Sequence, residues 1–532
     1  MGRIILTPTA ADRHGGGMES LAEELAGAAQ QGMSAALWAR EKPTQTAIFD
    51  RFGETTFFEL NAQANRVTRL LRVHGLKAGD AVALLASNRA EFAEVLSGCL
   101  RGGFRITPVN WHLNAEEVAY IINDCEAKAL FAEARYPAGL AAGAPQARLK
   151  VVIDGSAPGF VAWAEALAPF DGGDIPDPVL GSAMLYTSGT TGRPKGVHRR
   201  SNTLVVTPVP GEKDEVQMCV GPAYHAAPLA FDVRLALNQG NPLVFMDKWD
   251  AEEVLSTIEK RRVTRVHMVP IMFQRLLALP QEVKDRYDLS SLRLIMHGAA
   301  PCPPEVKKAM IDWLGPILTE YYAGSEGGAG FIVTSQEWLA KPGTVGRLPM
   351  PGAAKILDDA GQEIAEPGRS GAIYFRVSPI APFEYFKDPT KTAGVHRDGY
   401  FTLGDVGYLD EDDYLFLTGR TAECIISGGV NIYPQEIDNE IIKHPCVEDS
   451  CAIGVPNQEW GEEVKVVVTL KDGHPASEAL AAEILAFARR RLAGYKAPRS
   501  IEFAEDLPRS PAGKIQRGRV RAPYWAGRAR QI

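Results

Sequence analysis

The stretch Tyr186-Thr187-Ser188-Gly189-Thr190-Thr191-Gly192-Arg193-Pro194-Lys195-Gly196-Val197 decides how the rest of the chain is interpreted. Its twelve residues include three glycines and four Ser or Thr hydroxyls, and they follow the apolar run 183–185, which is typical of a strand. Glycines allow backbone N–H groups to approach an anion closely, while hydroxyls and the ammonium of Lys195 add donors and charge. The stretch therefore predicts a phosphate-binding loop directly after a strand.

Two other interpretations of this loop fit less well. A solvated Gly/Ser/Thr linker rarely carries an Arg-Pro-Lys-Gly sequence behind its glycines, as residues 193–196 do. The GxxxxGK[ST] type of phosphate loop needs a lysine that is followed by Ser or Thr at the start of a helix. Lys195 instead follows Pro194 and precedes Gly196, so this second type does not apply.

The composition of the chain limits its class. At 532 residues it is too long for one ordinary core, so two or three domains are expected. The net charge of −8, with dispersed Lys and Arg, argues against nucleic acid as a partner. Seven cysteines without a CxxC pair indicate reduced thiols.

No apolar run approaches the length of about 18 residues that a transmembrane helix needs, and the N-terminal run breaks at Pro8, too early for a signal peptide. We expect a cytoplasmic protein.

Apolar spacing predicts a helix over 62–71 and strands over 81–85, 129–132 and 150–153. This alternation indicates layered α/β subdomains with mainly parallel strands. Short strands between Gly, Pro and Asp turns over 343–376 predict a small β-barrel-like subdomain.

The string from Ser188 to Gly196 resembles the signature loop of the adenylate-forming superfamily, which includes acyl-CoA synthetases, peptide-synthetase adenylation domains and beetle luciferases. In that family the loop grips the ATP β- and γ-phosphates while a carboxylate attacks the α-phosphorus. The resemblance implies a large N-terminal domain over 1–419 and a small mobile α+β C-terminal domain over 420–532, with a hinge at Ala422. The ATP-binding residues that it implies in the loop are Thr187, Ser188, Gly189, Thr190, Thr191, Gly192 and Lys195.

The segment from Glu320 to Gly328 carries the next group of candidate residues. Glu326 supplies a carboxylate of the kind that Mg²⁺ takes, commonly one or two from the protein. Tyr322 offers a flat face to a purine, and Ser325 offers a hydroxyl to the α-phosphate. The family's usual string is Tyr-Gly-x-Thr-Glu, so this chain departs from it at Ala323 and at Ser325.

The resemblance also implies the walls of the two pockets. The adenine side is assigned Gly298, Ala299 and Ala300, and the acyl side His225, Met268, Ala299 and Gly324. These residues are small or mainly apolar, so we expect a hydrophobic acyl or aryl chain and not an amino acid. Without the resemblance, His225 would be interpreted as a packed core histidine.

Asp405 follows a predicted strand beside a glycine, where its carboxylate is suited to accept both ribose hydroxyls. Alone it would be interpreted as a turn residue, but it matches the family's ribose-binding Asp, and Arg420 matches the partner of that Asp.

The C-terminal part supplies two further motifs. The string at 425–434 resembles the one that borders the pantetheine tunnel in acyl-CoA synthetases, which assigns CoA to Ser427, Gly428 and Gly429. Lys514 lies on a loop bracketed by Pro and Gly, where a lysine is usually a surface charge. Matched to the family's terminal motif, it becomes the cation that bridges the attacking carboxylate and the α-phosphate.

We predict an ATP-dependent carboxylic acid:CoA ligase that uses ATP, coenzyme A and Mg²⁺, with Lys514, Thr187 and Glu326 as catalytic residues and Glu326 and Thr187 at the metal. Two alternatives stay open, an adenylating enzyme with another acyl acceptor and a catalytically silent nucleotide-binding protein. A homodimer also stays open.

Overall fold

The computed structural model describes residues 17–142, 146–187, 194–199, 210–212, 214–358, 360–379, 382–420, 423–427, 430–457, 460–492, 494, 496–510 and 513–526. Several predictions concern residues outside these ranges, namely those on Ser188, Gly189, Thr190, Thr191, Gly192, Ala422, Gly428 and Gly429. No helix within the described ranges is both long and apolar enough to cross a membrane.

The N-terminal part alternates helices and strands as predicted. Its elements are α1 (Gly17–Gln30), α2 (Ser34–Glu41), β1 (Thr46–Asp50), β2 (Gly53–Thr56), α3 (Phe57–Val73), β3 (Ala81–Leu85), α4 (Ala90–Arg101), β4 (Arg105–Pro108), α5 (Ala115–Asp124), β5 (Ala127–Ala132), α6 (Pro137–Ala142), β6 (Leu149–Val152), β7 (Val161–Ala162), α7 (Trp163–Leu167) and β8 (Ser182–Ala183). The predicted helix over 62–71 lies inside α3, which starts at a capping box in which Thr56 and Glu59 bond each other's backbone N–H groups. Strands β3 to β8 form a parallel sheet in the order β7-β6-β5-β3-β4-β8.

A second layer contains a larger sheet. The elements that follow are β9 (Leu185–Thr187), β10 (Lys195–Arg199), β11 (Gln217–Cys219), a π-helix (Pro228–Arg234), α8 (Leu235–Gln239), β12 (Leu243–Phe245), α9 (Ala251–Arg261), β13 (Arg265–Met268), α10 (Pro270–Leu277), α11 (Gln281–Lys284), β14 (Leu294–His297), α12 (Pro304–Leu314), β15 (Leu318–Gly324), β16 (Gly327–Thr334) and α13 (Ser335–Ala340). The sheet has the order β16-β15-β14-β13-β11-β12-β1-β2 and is parallel except at its two edge pairs. The carboxyl ends of β13, β14 and β15 therefore meet at one edge, where ligands of such sheets bind.

The predicted β-barrel-like subdomain corresponds to an antiparallel sheet. Its region contains β17 (Thr344–Arg347), β18 (Ala354–Leu357), β19 (Gly371–Arg376), β20 (Phe383–Tyr385), α14 (Pro389–Val395), β21 (His396–Arg397), β22 (Tyr400–Leu409) and β23 (Tyr414–Arg420). The strand order is β17-β23-β22-β19-β18, with β21 paired to β22. Strand β20 instead joins β10 and β9 in a separate three-stranded sheet.

The C-terminal part has a core of its own. It contains β24 (Ile425–Ser427), β25 (Val430–Ile432), α15 (Pro434–Ile441), β26 (Val447–Asn457), β27 (Gly461–Leu470), α16 (Glu478–Arg489), β28 (Ser500–Phe503), α17 (Arg517–Arg521) and a 3₁₀ helix (Ala522–Trp525). Ile437, Val466 and Ile484 are fully buried in this core. We refer to this part as the small domain; its predicted boundary between residues 419 and 420 stays a prediction.

A buried arginine holds the end of the small domain together. Arg517, at the start of α17, is 8% exposed and forms an ion pair of 2.9 Å with Asp438 of α15. It also donates to the carbonyl oxygen of Ala452 at 2.6 Å and to Glu423 at 3.1 Å. Asp438 further accepts from the hydroxyl of Ser450 at 2.9 Å. Because Lys514 lies three residues before Arg517, this network also positions the loop that carries Lys514.

We expect Arg517→Met to lower the free energy of unfolding of the small domain by about 3–5 kcal/mol, because it leaves the Asp438 carboxylate buried without its cation. Hydrogen exchange of the β26 amides in the full chain measures this loss. Arg519→Met, a change at an exposed neighbour, should leave the exchange unaltered, and adding Asp438→Asn to Arg517→Met should recover part of the protection. Equal protection in Arg517→Met and the unmutated chain would contradict the assignment.

Candidate functional site

The ends of the predicted phosphate loop are held side by side by strand pairing. Thr187 and Lys195 lie opposite each other at the ends of the antiparallel strands β9 and β10. On its other side β10 pairs with β20, and the ammonium of Lys195 lies 5.6 Å from the ring centroid of Tyr385 on that strand. The hydroxyl of Tyr385 donates to Glu326 Oε1 at 3.0 Å. Tyr385 therefore brings Lys195 and the candidate metal ligand Glu326 close together. We refer to the region between these residues and the cluster around Asp405 as the cleft.

A second cluster centres on Asp405. Its Oδ2 accepts from the hydroxyl of Tyr322 at 2.6 Å, and its Oδ1 forms a 2.8 Å ion pair with Arg420 Nε. Asp405 and Arg420 are opposite each other on β22 and β23, so the antiparallel register sets this pair. Burial, followed by the charge of Asp405, raises the pKa of Tyr322, which keeps its hydroxyl protonated as a donor. A carboxylate offers about four lone-pair sites, so Asp405 retains acceptor capacity beyond these two partners.

The small domain contributes Lys514 to the same cleft. Its side chain is exposed to solvent, yet protein surrounds it closely enough that burial lowers its pKa, as expected for a lysine on the wall of an open cleft. Arg420 lowers this pKa further, whereas Asp405, Glu326 and Glu423 act in the opposite direction. These electrostatic influences agree with a position of Lys514 near both clusters of the large part of the chain.

The loop that carries Lys514 packs directly against α10. A Cβ atom on Gly513 would lie 2.6 Å from Ile271 Cγ2, which is closer than real Cβ contacts, and Gly513 has a φ of +77°. Only glycine meets both requirements without strain. Arg509 donates to the carbonyl oxygen of Gly513 at 2.7 Å, and the amide of Ser510 donates to the carbonyl oxygen of Lys514 at 2.8 Å. The residues at the two ends of this loop are therefore bonded to each other, and Gly513 is seated on the large part of the chain.

His225 is a partly buried histidine near Lys514 and is uncharged near neutral pH. Burial, followed by the charges of Lys514 and His112, lowers the pKa of His225 to about 4. Its Nε2 has no hydrogen-bond partner among the described residues. The neighbouring Tyr224 ring lies 4.6 Å away between centroids, and its hydroxyl bonds His112 Nδ1 at 2.9 Å. His225 thus presents an uncharged imidazole beside the cleft.

The predicted pocket wall follows the carboxyl ends of β13, β14 and β15. Ala299 has a φ of +66°, an unfavourable conformation for a residue other than glycine, and such outliers cluster at ligand sites. A Cβ atom on Gly298 would lie 2.6 Å from the carbonyl oxygen of Tyr321, and one on Gly324 would lie 2.7 Å from Leu403. Met268 is 1% exposed and belongs to the core beneath this wall.

Several residues beside the predicted ones escaped the sequence analysis. Tyr385 lies in a short strand with no motif of its own, and only its pairing with β10 brings it to Lys195. His267 and Tyr321, next to the predicted Met268 and Tyr322, bond each other at 3.1 Å, and burial lowers the pKa of His267 to about 3. A pair of polar residues at the ends of adjacent buried strands is the signal that could have identified them.

The described residues contain no group of three or more His, Cys, Asp or Glu side chains arranged for a metal ion. A single carboxylate nevertheless suits Mg²⁺, which keeps several waters and binds one or two carboxylates together with substrate phosphates. Glu326, close to the Thr187 and Lys195 ends of the phosphate loop through Tyr385, fits that role. Ser427 pairs with Gly461 and Val430 inside the sheet of the small domain, so its role at CoA stays a prediction.

Removing the charge of Lys514 should raise the pKa of His225, because one of the charges that oppose its protonation is lost. The shift in Lys514→Ala is upward but incomplete, since burial is the larger cause. An NMR titration of the histidine ring signals measures it. Lys471→Ala, which removes an exposed lysine of the same domain, serves as the control and should leave the His225 pKa unchanged. An unchanged value in both variants would contradict the placement of Lys514.

Comparison with known protein families agrees with this geometry. Residues 36–382 match the family described as AMP-binding enzyme, and residues 436–514 match the family described as AMP-binding enzyme C-terminal domain. The chain is 35% identical over 500 residues to a feruloyl-CoA synthase of Amycolatopsis sp, with 91% of this chain and 97% of that protein covered.

Two further similarities broaden the comparison. The chain is 30% identical to the fatty acid–acyl-carrier-protein ligase ScoC of Streptomyces coeruleorubidus, over 93% of this chain and 96% of that protein. The crystal structure of the anthranilate CoA ligase AuaEII in complex with anthranoyl-AMP has a TM-score of 0.82 to this chain at 25% identity, covering 92% of this chain and 97% of that one.

Proposed function

The chain belongs to the AMP-binding enzyme family and, within it, to the AMP-forming acid–CoA ligases, and we propose that it activates a hydrophobic aliphatic, aromatic or cyclic carboxylic acid. The carboxylate oxygen attacks the α-phosphorus of ATP, which forms an acyl-adenylate and releases pyrophosphate. The CoA thiol then attacks the acyl carbon, loses its proton and displaces AMP, which leaves the thioester.

The observation that carries this proposal is the convergence of five charged side chains on one cleft. Lys195, Glu326, Asp405 and Arg420 come from three different sheets, and Lys514 reaches them from the small domain. A structural protein gains nothing from three cations that face one solvent-accessible cleft. A nucleoside triphosphate supplies the negative charge that such an arrangement binds.

We assign each side chain one role in the proposed reaction. Lys195 and the loop before it would hold the β- and γ-phosphates, and Glu326 would hold Mg²⁺, which would supply charge neutralisation at the phosphates. Asp405 would accept the ribose hydroxyls, with Arg420 to fix its orientation. Lys514 is assigned to the attacking carboxylate and the α-phosphate, where it would stabilise the charge of the transition state without proton transfer.

We assign the binding of adenine and of the α-phosphate to the segment around β15. Tyr322 is fixed by its bond to Asp405, so its ring is held in one orientation beside the ribose site and offers a stacking face. Ser325 follows in the turn after β15, where its hydroxyl can donate to the α-phosphate. The backbone of this turn is held by Arg199, which donates to the carbonyl oxygens of Ser325 and Glu326 at 3.4 and 3.3 Å.

The acyl pocket is proposed to be short and apolar. The ring of Phe231 lies 4.7 Å from that of Tyr321 between centroids, and Tyr321 and His267 bond each other at the ends of their strands. Neutral His225 and the small residues Ala299 and Gly324 supply no charge to pair with an ammonium group. These features support an acyl or aryl chain and oppose an amino acid.

A panel of aliphatic, aromatic and cyclic acids tests the proposal. Pyrophosphate release and thioester formation are measured with each acid, with CoA and in parallel with a pantetheine-loaded carrier protein, because ScoC is a ligase to acyl carrier protein. We expect acid-dependent pyrophosphate release and a thioester to CoA. Pyrophosphate release with a thioester formed only on the carrier protein would favour the carrier over CoA as the acyl acceptor. If free amino acids were the best substrates, the proposed class of acid would be wrong.

Glu326→Gln should raise the Mg²⁺ concentration needed for acyl-adenylate formation, because it removes the anionic oxygen that the cation prefers. Asp405→Ala should raise KM for ATP. Steady-state kinetics at varied Mg²⁺ and ATP separate the two effects. Glu363→Gln, at a carboxylate paired with Lys355 in the antiparallel sheet, is the control. Unchanged ATP and Mg²⁺ dependence in both site variants would show that the nucleotide lies elsewhere.

Lys514→Ala should slow acyl-adenylate formation by about 10²–10³-fold, as does the loss of one preorganised donor at a developing charge. We propose that the small domain rotates about Ala422 between the half-reactions, so this variant should still convert supplied acyl-adenylate and CoA to thioester. Measuring each half-reaction alone, with Lys471→Ala beside it, tests this. Equal damage to both half-reactions would reject the rotation.

A further inference from the structure

A small cavity lies where α2, α4 and α8 meet, and it shares no lining residue with the site described above. Its polar lining comes from Ser34, Ser97, Arg234 and Asn238, and the other residues around it are small or aliphatic. Its volume is about 30 Å³, and a cavity for one water measures about 10–15 Å³ on the same scale. The space therefore fits two or three waters or one small anion.

Arg234 is the cation of this cavity. It ends the π-helix that precedes α8 and is partly buried, and no hydrogen bond or ion pair joins its guanidinium to another of the described residues. Burial lowers the pKa of Arg234, and no neighbouring carboxylate opposes that effect.

Arg234 differs from several arginines of this chain in its partners. Arg89 pairs with Asp154 at 2.9 Å, and Arg517 pairs with Asp438 at the same distance. The fully buried Arg101 instead bonds the side-chain oxygens of Asn61 and Asn65. Arg234 is partly buried, and a guanidinium is destabilised wherever burial removes water from its N–H donors and no acceptor replaces it.

Ser34 is a second and independent indication of an anion. The residue is 6% exposed, lines the cavity, and its Oγ has no hydrogen-bond partner among the described residues. It is the first residue of the eight-residue helix α2, whose N-cap, Met33, provides no side-chain bond to the free N–H groups. The N-terminus of a helix carries a partial positive charge and unpaired N–H donors, which favour anions.

The walls of the cavity are fixed before any ligand binds. The indole N–H of Trp38 in α2 donates to the carbonyl oxygen of Asn238 in α8 at 2.9 Å. The ring of Trp38 also packs against Gly240: a Cβ atom built on Gly240 would lie 2.4 Å from the ring, and Gly240 has a φ of +74°. These two contacts hold α2 and α8 together beside the cavity. A bound ligand therefore needs to order few protein groups, which lowers the entropic cost of binding.

We propose that this cavity binds a small oxyanion, held by the guanidinium of Arg234, the hydroxyl of Ser34 and the N-terminus of α2. The anion supplies the missing counter-charge and the acceptors for both side chains. Phosphate and the carboxylate of a small acid share this chemistry, and inorganic phosphate is the probe that we choose. The site is separate from the nucleotide cleft, so it stands whether or not the proposed reaction is correct.

Denaturant unfolding of the full chain at increasing phosphate tests the site, because a ligand of the folded state alone stabilises it by RT ln(1 + [L]/Kd). Phosphate also stabilises proteins in general and can enter the nucleotide cleft, so variants are compared with the unmutated chain. Arg234→Met should weaken phosphate binding by at least about thirtyfold. Lys195→Met removes a cation of the nucleotide cleft. This variant should keep the stabilisation by phosphate that Arg234→Met loses.

Two further results make the test strict. In buffer without phosphate, Arg234→Met should be at least as stable as the unmutated chain, because an unpaired cation is replaced by an apolar side chain of similar length. Ser34→Ala, a mild change in a helix, should weaken phosphate binding by about tenfold. Equal stabilisation by phosphate in Arg234→Met and the unmutated chain would overturn the site. A response to chloride with none to phosphate or acetate would overturn the oxyanion class.

Discussion

The carboxylate of Asp405 makes the interactions on which the arrangement of the cleft depends. One oxygen accepts from Tyr322 at 2.6 Å and the other pairs with Arg420 at 2.8 Å. Tyr322 belongs to the eight-stranded sheet, whereas Asp405 and Arg420 belong to the antiparallel sheet. One side chain therefore joins two sheets at the cleft. Arg420 is also the last residue of β23, so the same pair fixes the point from which the chain continues to the small domain.

The small domain adds a cation to a wall that is already charged. Glu326 and Asp405 attract Lys514, while Arg420 repels it, and the protein that surrounds Lys514 strengthens each effect relative to open water. Because Gly513 has no side chain, the loop can pack closely against Ile271, which brings Lys514 to the cleft. Such a balance fits the proposed role of Lys514 at an anionic phosphate, because no carboxylate within the described residues forms an ion pair with it.

The histidines around the cleft are neutral because burial disfavours their charged form. Burial lowers the pKa of His225 to about 4 and that of His267 to about 3, so both are uncharged near neutral pH. Uncharged rings suit the proposed acyl pocket, because they would not attract the carboxylate away from Lys514. Since the unfolded chain binds these protons near the ordinary histidine pKa, both groups reduce the stability of the fold as pH falls below that value.

The sequence alone determined the class of fold and the order of the motifs, and the resemblance of those motifs to a family proposed Lys195, Glu326, Asp405 and Lys514 for the candidate site. Local patterns suffice for the helices, strands and glycine-rich turns, because these are properties of neighbouring residues. The tertiary structure alone decided which of these side chains meet. Tyr385 reaches Lys195 and Glu326 only through the pairing of β20 with β10, strands separated by more than 180 residues. Arg234 and Ser34 line one cavity although they lie far apart in the sequence. The bond between Trp38 and Asn238 beside them spans 200 residues. No local pattern encodes such meetings, because they depend on how sheets and helices pack, and packing is a property of the whole chain.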